Sequence, residues 1–482
     1  MRILLLCLLT AAHGAAANYY VATNGLDTNP GTQASPFLTV QKGANTAVAG
    51  DFVYVATGRY AENVRCNVNA GSAGSPIIID GQNVASVGSF TWEVGPYIHI
   101  KNFTITDGTN AFGGFLYVAQ SASHCVFSNN VCDALFSPGI TPVIRWNGPA
   151  SAPFGTAGSF NLFVSNVIKN VRGEMGFRIY GYTNTFVWNQ LLNFDNTDYF
   201  QLAGATNYII GNTCSNLHRT EFNTNNHSDI IQIFGDAGGT SQASFGHIIE
   251  SNYVIKADGV AQLGNLTDDS YAYVSDLTIR NNIFIGIAAK ISIAMPNVKV
   301  YNNVFYQCAT NTENGGAVLI FGDSGSIGKG NGGRAYNNVF LDCGPAGLTN
   351  TGGTYFSTTL TNVSSDYNYV AKGPSYLAVK PDPSQRSIGE PGGWDVTDWW
   401  EDHGINGGNP LFVNEAALNF HLSSGSFLIG AATNLNAIFS TDFDGTVRGG
   451  SWDVGAYEIL PVPGTIAARV GPGRTYSRRH RL

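Results

Sequence analysis

Short apolar runs recur along the chain, and each run is followed by an asparagine. The repeated unit is two or three β-forming residues, one spacer, asparagine and then another apolar residue. These asparagines are Asn130, Asn166, Asn189, Asn212, Asn252, Asn282, Asn303, Asn338 and Asn368. They are separated by 36, 23, 23, 40, 30, 21, 35 and 30 residues. The shortest spacings match one turn of a three-strand coil, and the longer ones predict loops inserted on one side.

An asparagine at a fixed corner suits such a coil for two reasons. Asparagine tolerates left-handed backbone angles at a sharp bend, and its amide can bond the same amide one turn away. Crossovers between parallel strands are right-handed. No long amphipathic helix and no regular series of hairpin turns is evident. The pattern therefore predicts an all-β, single-stranded, right-handed parallel β-helix, with a short N-terminal capping helix over Thr39–Ala47.

Both ends of the repeat region carry further recognisable segments. The first, 19–64, contains the predicted capping helix, and the second reads TDFDGTVRGGSWDVGAYE from Thr441 to Glu458. With the NNVF-type turns between them, they resemble the secreted right-handed parallel β-helix superfamily, the pectin-lyase-like fold, over roughly 18–458. That superfamily includes lyases, some of them calcium-assisted, as well as glycoside hydrolases, epimerases, adhesins and phage tailspikes. The resemblance therefore implies a fold, while function must be argued from a site.

The two ends of the sequence and the distribution of charge indicate where the protein acts and what it binds. Residues 1–17 have a positive residue, a short apolar core and a small-residue cleavage site, which is typical of a secretory signal peptide. We expect the β-helix over 18–460 and a basic tail over 461–482, which holds five arginines and no acid. Without Arg2 and those five arginines, 19 basic residues face 33 acidic ones. An acidic body does not suit nucleic acid, but it does not exclude acidic sugars, which local arginines can bind. No apolar run is long enough to span a membrane. We therefore expect an exported protein, extracellular, periplasmic or on the cell surface, whose partner is an extracellular polysaccharide, and the cap-like ends predict a monomer.

A second repeat lies within the first. Five apolar–polar–apolar triplets can be aligned one turn apart: Phe177-Arg178-Ile179, Phe200-Gln201-Leu202, Ile231-Gln232-Ile233, Ala261-Gln262-Leu263 and Ala289-Lys290-Ile291. Because side chains alternate along a strand, the middle residues are predicted to form one outward column with about 5 Å per step. The column consists of Arg178, Gln201, Gln232, Gln262 and Lys290.

Candidate reactive groups lie beside this column. Asp198 and Asp229 each stand three residues before a column glutamine, so they are predicted to be neighbours on adjacent turns. His227 precedes Asp229 by two residues, and the adjoining insertion 217–226 contains Arg219. Loops beside a rigid stripe make a groove. Tyr180 and Tyr199 lie on or beside the stripe and could stack on sugars.

The leading hypothesis is a polysaccharide lyase acting on a uronic-acid polymer. β-Elimination needs a neutralised carboxylate, a base and an acid for the leaving oxygen. Arg178 would neutralise the carboxylate, helped by Gln232 or by Ca²⁺ held between Asp198 and Asp229. His227, oriented by Asp229, or Lys290 would be the base. Tyr199 or Tyr180 would be the acid, and Gln201, Gln232, Gln262, Tyr180 and Arg219 would bind substrate.

Two alternatives remain open. A glycoside hydrolase could use Asp198 and Asp229 as its carboxylate pair. Asn196-Thr197-Asp198 resembles the NTD element of polygalacturonase-like hydrolases, although their Asp-Asp, Gly-His-Gly and Arg-Ile-Lys elements are missing here. A non-catalytic adhesin or carbohydrate-binding protein could use the same column without reacting. An epimerase would share the lyase site.

Overall fold

The computed structural model describes residues 16–106, 114–135, 144–146, 158–172, 175–218, 228–233, 244–257, 261–263, 274–288, 291–310, 318–322, 330–344, 353–356, 360–373, 375 and 401–459. Over these residues the chain forms a parallel β-helix, as the repeat predicts, in which each strand pairs in parallel with the corresponding strand of the next turn. The predicted tail 461–482 and all of the predicted signal segment except Ala16 and Ala17 lie outside the described residues. No helix in the described part of the chain is long and apolar enough to cross a membrane.

Each turn visits three sheets in a fixed order. Three long strands near the N-terminus, Gly58–Cys66, Ile77–Trp92 and Ile98–Ile105, bend around corners and so join the sheets to one another. The first sheet otherwise contains Asn18–Val21, Phe52–Val55, Val126–Ser128, Leu162–Val164, Thr185–Val187, Tyr208–Ile210, Ile248–Glu250, Thr278–Arg280, Lys299–Tyr301, Arg334–Tyr336 and Ser364–Asp366.

The second sheet follows the repeated asparagine. It contains Val131–Asp133, Val167–Arg172, Gln190–Asp195, Thr213–His218, Tyr253–Ala257, Ile283–Ile287, Val304–Tyr306, Val339–Leu341, Tyr369–Ala371 and Ile405–Asn406. The third sheet contains Leu116–Val118, Ile144–Trp146, Met175–Ile179, Asp198–Leu202, Ile231–Ile233, Ala261–Leu263, Ile291–Ile293, Leu319–Phe321 and Thr354–Phe356. Two-residue strands Gly204–Ala205, Ser244–Phe245 and Val274–Ser275 bridge the corner between the third and first sheets.

Inward side chains of the three sheets stack along the coil axis and form the core. Phe163 lies on Phe186 with ring centroids 4.9 Å apart, and Phe177 lies on Phe200 at 5.1 Å. All six cysteines of the described chain are buried and free of disulfides. Identical residues on successive turns thus bury a continuous apolar column, which a single turn could not do alone.

The repeated asparagines form the predicted ladder. The side-chain oxygen of Asn189 accepts from the backbone N–H and the amide of Asn166, at 3.0 and 2.9 Å, and this pattern continues to Asn368. The left-handed residue is the one before the asparagine, for example Ser165 with φ 56° and Trp188 with φ 55°. The ladder asparagine is therefore chosen for its hydrogen bonds, and the sharp bend is made by its predecessor, contrary to our expectation.

A second ladder, which the sequence pattern did not reveal, lies between the third and first sheets. It contains Asn161, Asn184, Asn207 and finally His247. Asn184 N–H donates to Asn207 Oδ1 at 2.9 Å, and Asn207 N–H donates to His247 Nδ1 at 3.3 Å. The second ladder therefore ends on an imidazole instead of an amide.

Segments outside the repeat pack against the first and the last turns of the coil. The short helix Val40–Thr46 closes the N-terminal turn, close to the predicted position, with Thr39 as its N-cap. The C-terminal segment 401–459 contains the 3₁₀ turn Glu415–Ala417 and the antiparallel pair Phe412–Asn414 with Asn419–Leu422. It packs on the outer surface of the second sheet beside the last turns. We refer to 401–459 as the covering segment.

Candidate polysaccharide-binding site

The polar column predicted from the triplets exists on the third sheet over three consecutive turns. Arg178 lies directly opposite Gln201, and Gln201 lies directly opposite Gln232. The apolar residues on either side of each are buried, with exposures of 5% or less. Alternation on the strand therefore turns these three polar side chains outward from a rigid wall.

Arg145 extends the column by one turn at its N-terminal end and was missed by the sequence analysis. It pairs with Arg178 on one side and with Tyr117 on the other, and it is exposed. The signal was present, since Ile144-Arg145-Trp146 is another apolar–polar–apolar triplet. It is easily overlooked because it sits inside a region that lacks the asparagine repeat and resembles a loop insertion.

The C-terminal end of the predicted column is corrected by the strand register. Gln262 lies opposite Ser292, so the triplet in register is Ile291-Ser292-Ile293 and not Ala289-Lys290-Ile291. The two triplets overlap and share the same period of two, so the sequence pattern could not distinguish them. Lys290 itself lies outside the described residues. The next positions are Ile320 and Tyr355, so the polar stripe becomes apolar.

Asp198 and Asp229 are neighbours, as predicted, and both are buried. Asp229 N–H donates to Asp198 Oδ1 at 2.7 Å, and Gln201 Nε2 donates to Asp198 Oδ2 at 2.8 Å. Their exposures are 1% and 0%. Asp198 therefore orients Gln201 and ties two turns together, and neither carboxylate reaches the outer surface where a sugar would lie.

The two tyrosines have different surroundings. Tyr199 is fully buried, with its ring 4.7 Å from that of Phe194, and burial raises the pKa of its hydroxyl well above the usual value. Tyr199 is therefore corrected from a surface proton donor to a core residue. Tyr180 is half-buried; its hydroxyl accepts from Arg178 Nε at 2.7 Å, and the guanidinium carbon lies 5.3 Å from its ring centroid. This contact fixes the direction of the Arg178 side chain.

His227 and Arg219 lie outside the described residues. The chain on either side of that insertion meets at its base, where Ser228 Oγ donates to the carbonyl of His218 at 3.3 Å. The roles of both residues therefore remain predictions.

A row at the end of the second sheet was also missed. Arg172, Asp195 and His218 stand opposite one another on consecutive turns, and Arg172 Nε lies 3.4 Å from Asp195 Oδ2. Each residue ends its strand just before the corner that leads to the third sheet. The row therefore places charged and titratable groups along one border of the polar column.

The residues of the described chain include no cluster of three or more histidine, cysteine, aspartate or glutamate side chains that could hold a metal ion. Ca²⁺ requires six to eight oxygen ligands. Both oxygens of Asp198 already accept N–H donors. This donor set does not fit the predicted calcium site, so no reaction step is assigned to calcium.

Comparisons with known proteins give remote structural likenesses. No family model and no curated protein matches the chain. A structure of XylC with xylose aligns at 11% identity, covering 92% of this chain and 98% of that chain, with a TM-score of 0.43. The pectate lyase Pel9A aligns at 16% identity, covering 92% and 97%, with a TM-score of 0.40. The polysaccharide lyase Pedsa3628 from Pseudopedobacter saltans aligns at 15% identity, covering 76% and 88%, with a TM-score of 0.39. The parallel β-helix itself is established by the strand register of the chain.

Proposed function

We propose that this protein is a secreted polysaccharide lyase that cleaves a uronic-acid polymer by β-elimination. The observation that carries the proposal is the outward column of Arg145, Arg178, Gln201 and Gln232, one residue per turn in unbroken register. Turns are about 4.8 Å apart. A linear polymer along the coil axis would meet a cation or an amide at every turn. Guanidinium groups suit carboxylates and amides suit hydroxyls.

Arg178 is the proposed carboxylate-neutralising residue. Removing the proton at C5 of a uronate builds negative charge on the adjacent carboxylate, which a preorganised cation stabilises. Arg178 is held by Tyr180 through one of its five N–H donors. The remaining donors can bind a carboxylate without first being reordered.

Proton transfer is assigned to three residues named in the sequence analysis. His227 is the proposed base, because Asp229, which follows it by two residues, lies on the turn of Gln232; Lys290 is the alternative base. Tyr180 is the proposed acid, since a phenol can donate its proton to the leaving oxygen while its own oxygen accepts from Arg178. Gln201, Gln232, Gln262 and Arg219 are the proposed substrate-binding residues.

The burial of Asp198 and Asp229 weighs against the hydrolase alternative. A pair of hydrolytic carboxylates must flank the scissile bond, one protonating the leaving oxygen and the other facing water or the sugar. Here both carboxylates lie beneath the column, and Asp198 is engaged by Gln201 and by the backbone of Asp229.

The test is the ultraviolet absorbance of the unsaturated product on alginate, pectate, chondroitin sulfate, ulvan and gellan. We expect absorbance to rise on at least one polymer. Arg178→Ala should lower the rate by about a hundredfold or more, and His227→Ala should abolish it. Arg59→Ala removes an exposed arginine outside the third sheet and should leave the rate unchanged.

Other outcomes point elsewhere. New reducing ends without unsaturated product would indicate hydrolysis. Binding of a polymer without any cleavage would indicate the non-catalytic carbohydrate-binding protein. Equal loss in the Arg178 and Arg59 variants would contradict the assigned role of the column.

A further inference from the structure

Arg145 and Arg178 place two cations on adjacent turns of the same surface. They are directly opposite in register, so their backbones are about 4.8 Å apart. Arg145 is exposed and Arg178 is half-buried. An anionic group placed between or above two cations at this separation is attracted to both of them.

On the other two sheets, several cations of the described residues face acids across adjacent turns. The in-register ion pairs of the first and second sheets are Lys101 with Asp80 at 3.2 Å, Lys169 with Asp133 at 3.1 Å, Arg172 with Asp195 at 3.4 Å and Arg280 with Glu250 at 2.8 Å. Among the described residues of these two sheets, Lys299 and Arg334 are a like-charge pair in register, and there Arg334 donates to the backbone and side-chain oxygens of Asn362.

The third sheet departs from this arrangement. The in-register neighbours of Arg145 are Tyr117 and Arg178, and those of Arg178 are Arg145 and Gln201. None of these neighbours is an acid. The two arginines thus form a doubly cationic end of the column, followed by the neutral amides of Gln201 and Gln232.

The separation of turns is close to the length of one pyranose unit in an extended polysaccharide. A chain along the coil axis would therefore present successive sugar units to successive turns. We propose that Arg145 is a specificity-determining residue that binds the acidic group of the sugar next to the one held by Arg178, so that the protein selects polymers with acidic groups on consecutive units. This inference rests on the proposed function for the direction in which the polymer lies.

Charge-assisted contacts to a carboxylate give the residue its expected effect. Arg145 lies one turn from Arg178, so it contributes to binding and not to the developing charge at the reacting sugar. Arg145→Gln should raise KM on a homopolymeric uronate by about tenfold with little change in kcat. Arg145→Lys should recover part of the loss, because it keeps the charge but not the planar fork.

The experiment measures binding separately from cleavage. Affinity electrophoresis would compare polygalacturonate and alginate, which carry an acid on every sugar, with hyaluronan, in which acidic and neutral sugars alternate. We expect wild type to bind a homopolymeric uronate more tightly than hyaluronan, and Arg145→Gln to remove most of that preference. Arg59→Gln carries the same charge change away from the column and should retain the preference, and thermal unfolding would verify that each variant is folded.

The outcomes separate this inference from the proposed elimination. Selective binding that depends on Arg145, without unsaturated product, would support the inference and contradict elimination. Cleavage in which Arg145→Gln weakens both polymer types equally, or neither, would overturn the inference and leave elimination standing. Failure of wild type to bind any acidic polymer would overturn both.

Discussion

On both the second and the third sheet, side chains alternate between the core and the outer surface, but the outer surfaces of the two sheets differ in polarity. On the third sheet the outward positions from Arg145 to Gln232 are charged or amide side chains. On the last turns of the second sheet they are apolar, namely Ile283, Ile285, Val304, Val339, Leu341, Tyr369 and Ala371. Those residues are buried beneath Phe420, Leu422, Leu428 and other apolar residues of the covering segment.

The second sheet makes the same contrast along its own length. Its earlier turns carry outward Asp133, Lys169, Gln190, Thr213 and Ser215, which are exposed or half-buried. The outward residue type thus reports what a given stretch of wall meets. On the last turns, the apolar outward positions lie under a piece of the same chain, whereas polar positions in register on the third sheet suit solvent or a polar ligand.

Removing an aromatic anchor of the covering segment is expected to have the largest effect. Phe420 is 1% exposed and packs against Tyr306 at 5.2 Å and Phe412 at 5.4 Å between ring centroids. Phe420→Ala should lower the free energy of unfolding by about 3–5 kcal/mol, through lost burial and a residual cavity. Urea denaturation would measure this loss, and polymer binding on the third sheet should be unchanged below the transition.

Phe427→Ala is the matched control for that substitution. Phe427 belongs to the same segment but is 42% exposed, so its removal should cost less than half as much. A similar loss for both variants would show that the covering segment is not anchored by its buried face.

The sequence pattern predicted those parts of this comparison that depend on strict repetition. The asparagine ladder, the fold and the register of Arg178, Gln201 and Gln232 all follow from residues that recur once per turn. The column position opposite Gln262, which belongs to Ser292, was assigned to Lys290 because a period of two allows a slip of two residues without changing the pattern. Tyr199 was placed wrongly because the alternation is broken at the start of its strand, where Asp198, Tyr199 and Phe200 are all buried.

Other features could be located only from the three-dimensional structure. Arg145 lies in a turn without the asparagine repeat, so its apolar–polar–apolar triplet could not be aligned with the others. The covering segment contains no repeat, although the apolar outward positions of the last turns, such as Val304 and Leu341, were a readable sign that something covers them. The buried Asp198 accepts a hydrogen bond from the backbone of Asp229 on the next turn, which no local pattern encodes.

The protein should lose stability in acid through His247, which ends the second ladder at the corner between the third and first sheets. Nδ1 of His247 accepts from Asn207 N–H, so the neutral ring carries its proton on Nε2, which lies 2.9 Å from Ser244 Oγ. Burial lowers the pKa of His247 from 6.5 to about 3. As pH falls below about 6.5, the imidazole is protonated in the unfolded chain but not in the folded chain. The contribution of the neutral imidazole to the free energy of unfolding is therefore lost progressively toward about pH 3.

His247→Asn should flatten that dependence, because asparagine can accept from Asn207 as the other members of the ladder do. The measurement is the urea midpoint at about pH 7 and about pH 5. His124→Asn, at an exposed position, is the control and should keep the wild-type slope. If the urea midpoint of the His247 variant changes with pH as steeply as that of wild type, this explanation is wrong.

Glu401, in the covering segment, should make the stability of the protein depend on pH in the opposite sense. This carboxylate, at the start of the covering segment, ends the first ladder: Oε1 accepts from Ser365 Oγ at 2.6 Å and Asn368 Nδ2 at 2.7 Å, and Oε2 accepts from Asn368 N–H at 3.0 Å. Burial is the largest influence and raises the pKa of Glu401 from 4.5 to about 7, although the hydrogen bonds act against it. The folded chain then holds a proton that the unfolded chain releases, so the contribution is full below about pH 4.5 and is lost as pH rises through about 7.

Glu401→Gln resembles the protonated carboxyl in shape and cannot ionise, so the difference in unfolding free energy between wild type and variant should change with pH in that window. We expect wild type to weaken relative to Glu401→Gln as pH rises from about 4.5 to about 7. Asp402→Asn neutralises the exposed neighbouring acid and should show no such trend. The pH range over which His247 changes stability overlaps that of Glu401, and the two effects have opposite signs. The stability of wild type can therefore change little with pH although both groups contribute. The two single variants separate the contribution of His247, at the end of the second ladder, from that of Glu401, at the end of the first.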